Sequence, residues 1–305
     1  MANFTLKQLR YFEALSRLGH FGRAAQACAI SQPALSMQIK ELEDNLGAVL
    51  FERAAREVRL TGFGEEFATR ARHILRSADE LSDLARASRD TLVGRLRLGV
   101  IPTIAPYLLP TLIGKLSQSY DGLDIHVRET LTPKLIQELV DGRLDTAVLA
   151  LPISEPSLSE VALFEEEFLL VRPQCDAGKP VPSGEMLREM RLLLLEEGHC
   201  FRDQALSFCN VQSALPRDGL DGSSLSTLVQ MVGAGIGVTL VPQMAMPVET
   251  RSAPVSVSSF KNPQPTRQIG MVWRKSDPRA KQFEQLGGVV QQALEALRAN
   301  AIVDL

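Results

Sequence analysis

The chain reads as an α/β protein: an all-α winged helix-turn-helix at residues 1–60, one long linker helix at 61–92, and a two-lobed α/β module at 93–305. Three observations carry that reading. Residues 1–60 hold three short segments with apolar residues three and four apart, then a short alternating stretch. Residues 61–92 keep a single heptad seam. From residue 93 onward, short apolar strands alternate with helical segments, the order that builds parallel sheets covered by helices.

Thr5 opens the first helix as an N-cap, and Leu6, Leu9, Phe12 and Leu15 then line one face. A second helix, about Phe21 to Cys28, carries the small pair Ala24-Ala25. After a turn at Ile30-Ser31, a third runs from Gln32 to about Asn45, with Pro33 in its first turn, where a missing N–H is harmless, and Gly47 at its end. Its inward face is Leu35, Ile39, Leu42 and Leu46; its outward face is Ser31, Gln32, Ser36, Gln38 and Lys40. That is the layout of a helix-turn-helix. Residues 49–60 alternate like a hairpin and carry Arg53, Arg56 and Arg59, a wing suited to lie along phosphates.

The seam of the long helix runs Phe67, Ala71, Ile74, Ala78, Leu81, Ala85, Ser88 and Leu92, while its other faces are charged. Such a stripe calls for a partner, most simply the same helix of a second subunit, which would hold two reading heads at a fixed separation on double-stranded DNA. In the module, strands are expected at 94–101, 124–129 and 145–149, with helices at 107–117 and 133–142 between them. The pattern restarts at 167–171, returns at 268–273 and closes on a helix at about 279–298. Lobe I is therefore expected at about 93–165 and 268–305, and lobe II at about 166–267, with any ligand held between them.

Composition narrows the function classes. Net charge is −3, yet residues 1–60 hold eight Lys and Arg against six Asp and Glu, while 92–305 hold twenty against twenty-four. A basic head on an acidic body fits a polyanion reader joined to a sensor. No run approaches the roughly 18 apolar residues of a membrane span, and Met1 to Lys7 lacks a secretory signal, so a cytoplasmic location and no membrane partner are expected. Four cysteines, none in Cys-x-x-Cys spacing, and four scattered histidines suggest neither a disulfide scaffold nor a metal site. Gly233-Ala234-Gly235-Ile236-Gly237 lacks the strand-first frame of a dinucleotide cradle, so no cofactor is expected.

The stretch Ala24-Ala25, Ser31 to Ser36, Ile39, Leu42-Glu43, Leu46-Gly47 and Leu50 to Arg53 resembles the DNA-binding signature of the LysR-type regulators, and the order of modules is similar along nearly the whole chain. More narrowly, Gly198-His199-Cys200-Phe201-Arg202-Asp203-Gln204-Ala205 with Phe208-Cys209, Ile101-Pro102-Thr103 and Arg267-Gln268-Ile269-Gly270 resemble the peroxide-sensing branch of that family. The resemblance implies a regulator and not an enzyme, with hydrogen peroxide as its signal. The third helix would enter the major groove, Gln32, Ser36, Gln38 and Lys40 reaching bases or phosphates, with Pro33 and Ala34 as small groove-facing residues. Arg53, Arg56 and Arg59 would neutralise phosphates, giving affinity more than sequence choice. A homodimer through the linker helix, a homotetramer as a dimer of dimers and contact with RNA polymerase follow by the same resemblance.

Cys200 stands where a helix begins after the apolar run 192–195 and the turn 196–199. Helix N–H groups, His199 and Arg202 there favour the thiolate, the form that attacks peroxide. The resemblance adds Thr103, Thr132, Asp203 and Arg267 around the pocket, and implies a disulfide in which Cys209 resolves a sulfenic acid formed at Cys200. Nine helical steps of about 1.5 Å separate the two by roughly 13–14 Å, whereas a disulfide needs Cα atoms at about 4.4–6.8 Å. The segment must unwind for the bond to form. Cys28 reads as a core residue and Cys175 as an exposed loop thiol. Three rival readings are a regulator of the same type triggered by a metabolite between the lobes, a thiol peroxidase, and a solute-binding protein. The DNA-binding head argues against the last, and the slow unwinding argues against turnover.

Overall fold

Thr5 starts helix α1 (Leu6–Leu18) with a reciprocal cap: its hydroxyl accepts the Gln8 amide at 3.2 Å, and the Thr5 amide donates to Gln8 Oε1 at 2.9 Å. The computed structural model describes residues 4–53, 58–87, 92–187, 190–209, 221–261 and 263–303, and the chain divides into two units, 1–85 and 86–305. Arg56 lies outside the described residues, as does the side chain of Arg53.

In the first unit α2 (Phe21–Ala27) and α3 (Gln32–Leu46) follow, α3 being capped by Ser31, whose hydroxyl accepts the Ala34 amide at 3.4 Å. The apolar spacing places Leu35, Ile39 and Leu42 at full burial beside Leu9, Phe12 and Leu15. Strands β1 (Phe51–Arg53) and β2 (Val58–Leu60) pair antiparallel as the hairpin. Helix α4 (Gly62–Ala87) lends Phe67 and Ala71 to the head's core, Phe67 standing edge-on to Phe12 at 5.0 Å. Farther along, Ile74 and Leu81 are 43% and 71% exposed. Of the seam's end, Ser88 lies outside the described residues, and Leu92 is buried in the second unit's core.

The second unit runs β3 (Gly94–Val100), α5 (Ala105–Ser119), β4 (Leu123–Glu129), α6 (Thr132–Val140), β5 (Thr146–Leu151), β6 (Leu158–Pro173), α7 (Gly184–Leu187), β7 (Leu194–Leu195) and α8 (Cys200–Phe208). It continues with β8 (Asp221–Gly222), α9 (Leu225–Gly233), β9 (Thr239–Pro242), α10 (Met246–Glu249), β10 (Val255–Ser258), β11 (Thr266–Arg274) and α11 (Ala280–Val303). β3 pairs parallel with both β4 and β5, as the alternating order predicts. The sheet is nevertheless mixed, since β11 runs antiparallel to both β5 and β6. The sequence reading began the restart at residue 167, but β6 begins at Leu158 and spans both lobes. Its first half pairs with β11 in lobe I; its second half pairs with β9 and β10 in lobe II.

Each lobe has its own core. Leu98, Val100, Leu108, Leu135, Val148, Met271 and Phe283 are buried in lobe I, and Phe168, Leu170, Leu193, Phe201, Val229 and Leu240 in lobe II. Side chains of this size contribute about 1.5–3 kcal/mol each when fully buried. Lobe I also buries a charge network: Asp145 accepts from Arg97 at 2.6 Å and Arg279 at 2.9 Å, and Asp277 accepts from Arg274 at 2.8 Å and Arg279 at 3.0 Å. Burial works against the Asp145 carboxylate, but the hydrogen bond from Arg97 and the charge of Arg279 outweigh it and hold the group below the usual carboxylate range. No helix among the described residues is long and apolar enough to cross a membrane.

Candidate functional site

Lobe II presents Cys200 to lobe I through a short chain of local causes. Gly198, at φ +93°, makes a turn that an L side chain rarely adopts. His199 then stands at the N-cap of α8 without a side-chain cap bond, and Cys200 is the first helical residue. Phe201, Ala205 and Leu206 face inward and seat the helix on lobe II. Phe201 packs edge-on to Phe168 at 4.8 Å.

Opposite Cys200 stand two loops of lobe I. Ile101, Pro102 and Thr103 follow β3, Leu131 and Thr132 precede the body of α6, and together with His199 and Cys200 they line a narrow gap, closed in this structure to a water-sized molecule. Thr103 is held by Arg267, whose Nη1 donates to Thr103 Oγ1 at 2.8 Å and whose Nη2 donates to its carbonyl at 3.1 Å. With an acceptor lone pair so engaged, the Thr103 hydroxyl proton is left to donate. The buried Thr132 hydroxyl has no hydrogen-bond partner among the described residues and lines the same gap. Arg267 is itself 2% exposed and fixed by Glu166: Nε and Nη2 reach Oε2 at 2.8 and 2.7 Å, while Oε1 accepts the Met244 amide at 2.8 Å. Two hydroxyls, an imidazole and a thiol thus converge on one narrow gap.

The expected residues divide plainly. Thr103, Thr132, His199 and Cys200 line the gap, and Arg267 braces it from behind. Arg202 points elsewhere, donating to the Leu195 carbonyl at 2.7 Å and pairing with Asp221 at 3.0 Å. Asp203 is exposed. Burial holds His199 below the ordinary imidazole value, Glu196 pulling the other way, so the ring is neutral at pH 7 and adds no positive charge beside the sulfur. The folded state resists protonating it, so the stability tied to neutral His199 is complete above about pH 6.5 and is lost as pH falls through that value toward the lower folded one. His199→Gln should flatten this acid limb; urea midpoints at about pH 7.5 and about pH 5.5 compare the two proteins. A wild-type midpoint no more acid-sensitive than that of the variant would count against this account.

Cys209 is fully buried in the core of lobe II and closes α8 as its C-cap, whereas Cys200 packs against the core of lobe I. The two sulfurs therefore sit at opposite ends of one helix, against different cores. Cys28 packs against the head's core, where burial, and after it the charge of Glu13, raises its thiol; Cys175 is exposed. Among the described residues no cluster of His, Cys, Asp and Glu is placed to hold a metal ion. Sequence reasoning missed Glu166, because the expected strand starts one residue later, at 167, and nothing local marks Glu166 as buried; its only signal is the adjoining strand pattern.

On the head, Ser31, Gln32, Pro33 and Lys40 are exposed along α3, Ala34, Ser36 and Gln38 are half-buried, and Gln38 donates to Glu41 at 2.9 Å. Arg59 is exposed on β2.

Comparison with known proteins matches residues 6–65 to the bacterial regulatory helix-turn-helix of the LysR family, and residues 89–295 to the LysR substrate binding domain. The chain is 42% identical over 304 residues to a probable hydrogen peroxide-inducible genes activator of Streptomyces viridosporus, covering 98% of this chain and 97% of that one. It is 38% identical to the DNA-binding transcriptional dual regulator OxyR of Escherichia coli, with 95% and 96% covered. Among solved structures, a full-length OxyR variant from Pseudomonas aeruginosa aligns with TM-score 0.76 at 36% identity over 95% and 96% of the chains. A peroxide-bound cysteine-to-serine OxyR variant from Corynebacterium glutamicum aligns with TM-score 0.68 at 35% identity over 98% and 95%. The chain belongs to the LysR family of bacterial DNA-binding transcription regulators.

Proposed function

We propose that the protein senses hydrogen peroxide in the cytoplasm through Cys200 and changes its DNA binding when Cys200 and Cys209 join in a disulfide. The observation that carries this reading is the gap at Cys200. Its tightness favours a very small reactant over an ordinary metabolite, and its two hydroxyls and imidazole stand beside the sulfur that would react. The Thr103 and Thr132 hydroxyls donate to peroxide, polarising its O–O bond, while the sulfur attacks. Similarity to peroxide-inducible activators and to peroxide-bound OxyR supports the assignment.

The head would read a two-half-site operator: α3 enters the major groove with Gln32, Pro33, Ala34, Ser36, Gln38 and Lys40 toward the bases, Ser31 caps the helix start, and Arg53, Arg56 and Arg59 follow the backbone. The exposed seam at Ile74 and Leu81 is the surface on which a homodimer would form, with a dimer of dimers and contact with RNA polymerase as further assembly steps.

Stoichiometric peroxide followed by mass-spectrometric mapping tests the switch. The expected result is a Cys200–Cys209 link in the parent, no oxidation of the pair in Cys200→Ser, and a trapped sulfenic acid at Cys200 in Cys209→Ser. Absence of the link, together with unaltered operator binding, would transfer the trigger to a metabolite.

A further inference from the structure

The two lobes meet again one helical turn beyond Thr103. Tyr107 belongs to α5, whose Ala105, Leu108 and Leu112 pack in lobe I, yet its own side chain is buried in the core of lobe II. Its hydroxyl donates to Glu249 Oε1 on α10 at 2.7 Å, and Ser226 on α9 donates to Glu249 Oε2. Glu249 is 9% exposed, so both of its oxygens are satisfied by neutral hydroxyls in a buried setting, where an unmade bond is expensive. Burial, and after it the bond to Glu249, push the Tyr107 phenol far above its ordinary value, which keeps it a donor.

None of these three side chains lines the Cys200 gap. That gap, however, has Thr103 and Thr132 on one lobe and His199 and Cys200 on the other, so its width follows the spacing of the lobes. We propose that the Tyr107–Glu249–Ser226 bridge is a strut that sets the width of the Cys200 gap and thereby selects hydrogen peroxide over bulkier organic hydroperoxides. The proposal rests on the peroxide reading above. In the reaction the Cys200 thiolate gives an electron pair to one peroxide oxygen. The S–O bond forms and the O–O bond breaks. Sulfur is oxidised by two electrons to the sulfenic acid, and the second oxygen departs as hydroxide and takes up a proton to become water. An alkyl hydroperoxide must instead expel an alkoxide, and its alkyl group needs room between the lobes.

The test measures sulfenic acid formation at Cys200 in the Cys209→Ser background, with hydrogen peroxide and with tert-butyl hydroperoxide. The parent should strongly prefer hydrogen peroxide. Tyr107→Phe keeps the ring in place and removes only the donor; it should lower the preference on the order of tenfold, because small misplacements of reacting groups have effects of that size or larger. Glu249→Gln can accept from Tyr107 and donate to Ser226, so it should retain the preference. Glu249→Ala should lose it, and added formate should restore it. An unchanged preference in folded Tyr107→Phe, or a loss of both rates in equal proportion, overturns the strut. If parent Cys200 reacts with neither oxidant, the peroxide reading falls and the strut falls with it; a reactive parent with an unaffected preference removes the strut alone.

Discussion

Arg267→Ala is expected to lower the stability of the regulatory unit by about 3–5 kcal/mol, the size found when one partner of a buried ion pair is removed. The reason is what it leaves behind. Glu166, 1% exposed, would keep only the Met244 amide, and Thr103 would lose both of its restraints. Lysine should not rescue, since a single ammonium cannot address Glu166, the Thr103 hydroxyl and the Thr103 carbonyl from one planar fork. The double change Arg267→Met with Glu166→Gln should recover most of the loss, because it removes the stranded charge as well as its partner. Urea unfolding of the three proteins decides the matter. If the double variant is as unstable as Arg267→Ala, the ion pair is not what holds this junction. The same variant should also lose peroxide reactivity at Cys200, since Arg267 orients the Thr103 hydroxyl.

Oxidation is expected to abolish amide-exchange protection from Cys200 to Cys209. In the reduced form α8 is continuous over Cys200–Phe208, with the Cys209 amide bonded to the Ala205 carbonyl at 3.2 Å. The disulfide demands a Cα separation of about 4.4–6.8 Å in place of roughly 13–14 Å. Phe201, Leu206 and Cys209, at 2%, 6% and 0% exposure, must leave the lobe II core at least in part. Each such side chain contributes about 1.5–3 kcal/mol when fully buried, so the reduced helix resists the switch by several kcal/mol. The two-electron oxidation supplies the compensating free energy. Hydrogen exchange on reduced and peroxide-treated protein reads this directly. A disulfide formed while α8 keeps its protection would sink the unwinding mechanism, leaving the proposed role of α3 untouched. Arg202 on α8 donates to the Leu195 carbonyl in β7 and pairs with Asp221 in β8, so protection in those two strands should fall as well.

Much of the molecule was legible in advance where the deciding interactions are local. The cap at Thr5, the cap at Ser31 and the three-and-four spacing of Leu35, Ile39 and Leu42 each act within one or two turns, and the observed helices begin where those residues stand. The start of α8 at Cys200 follows in the same way from Gly198 and the inward pattern of Phe201 and Ala205. Other features were hidden because their causes are distant in the chain. β6 looked like a strand restarting at residue 167, since the acidic half from Leu158 onward draws its pairing from β11, about a hundred residues away. Leu92 fitted the heptad arithmetic but belongs to another core.

By itself, then, the sequence determined the order of modules, the three short helices of the head and the two cysteines at the ends of one short helix, because period, capping and spacing are properties of neighbouring residues. Only the tertiary structure decided that His199 is neutral, that Arg202 faces away from the sulfur, and that Glu166 and Glu249 are interior groups joining the lobes. The physical reason is that charge state and role depend on burial and on partners brought in by the fold, and no spacing along the chain encodes either.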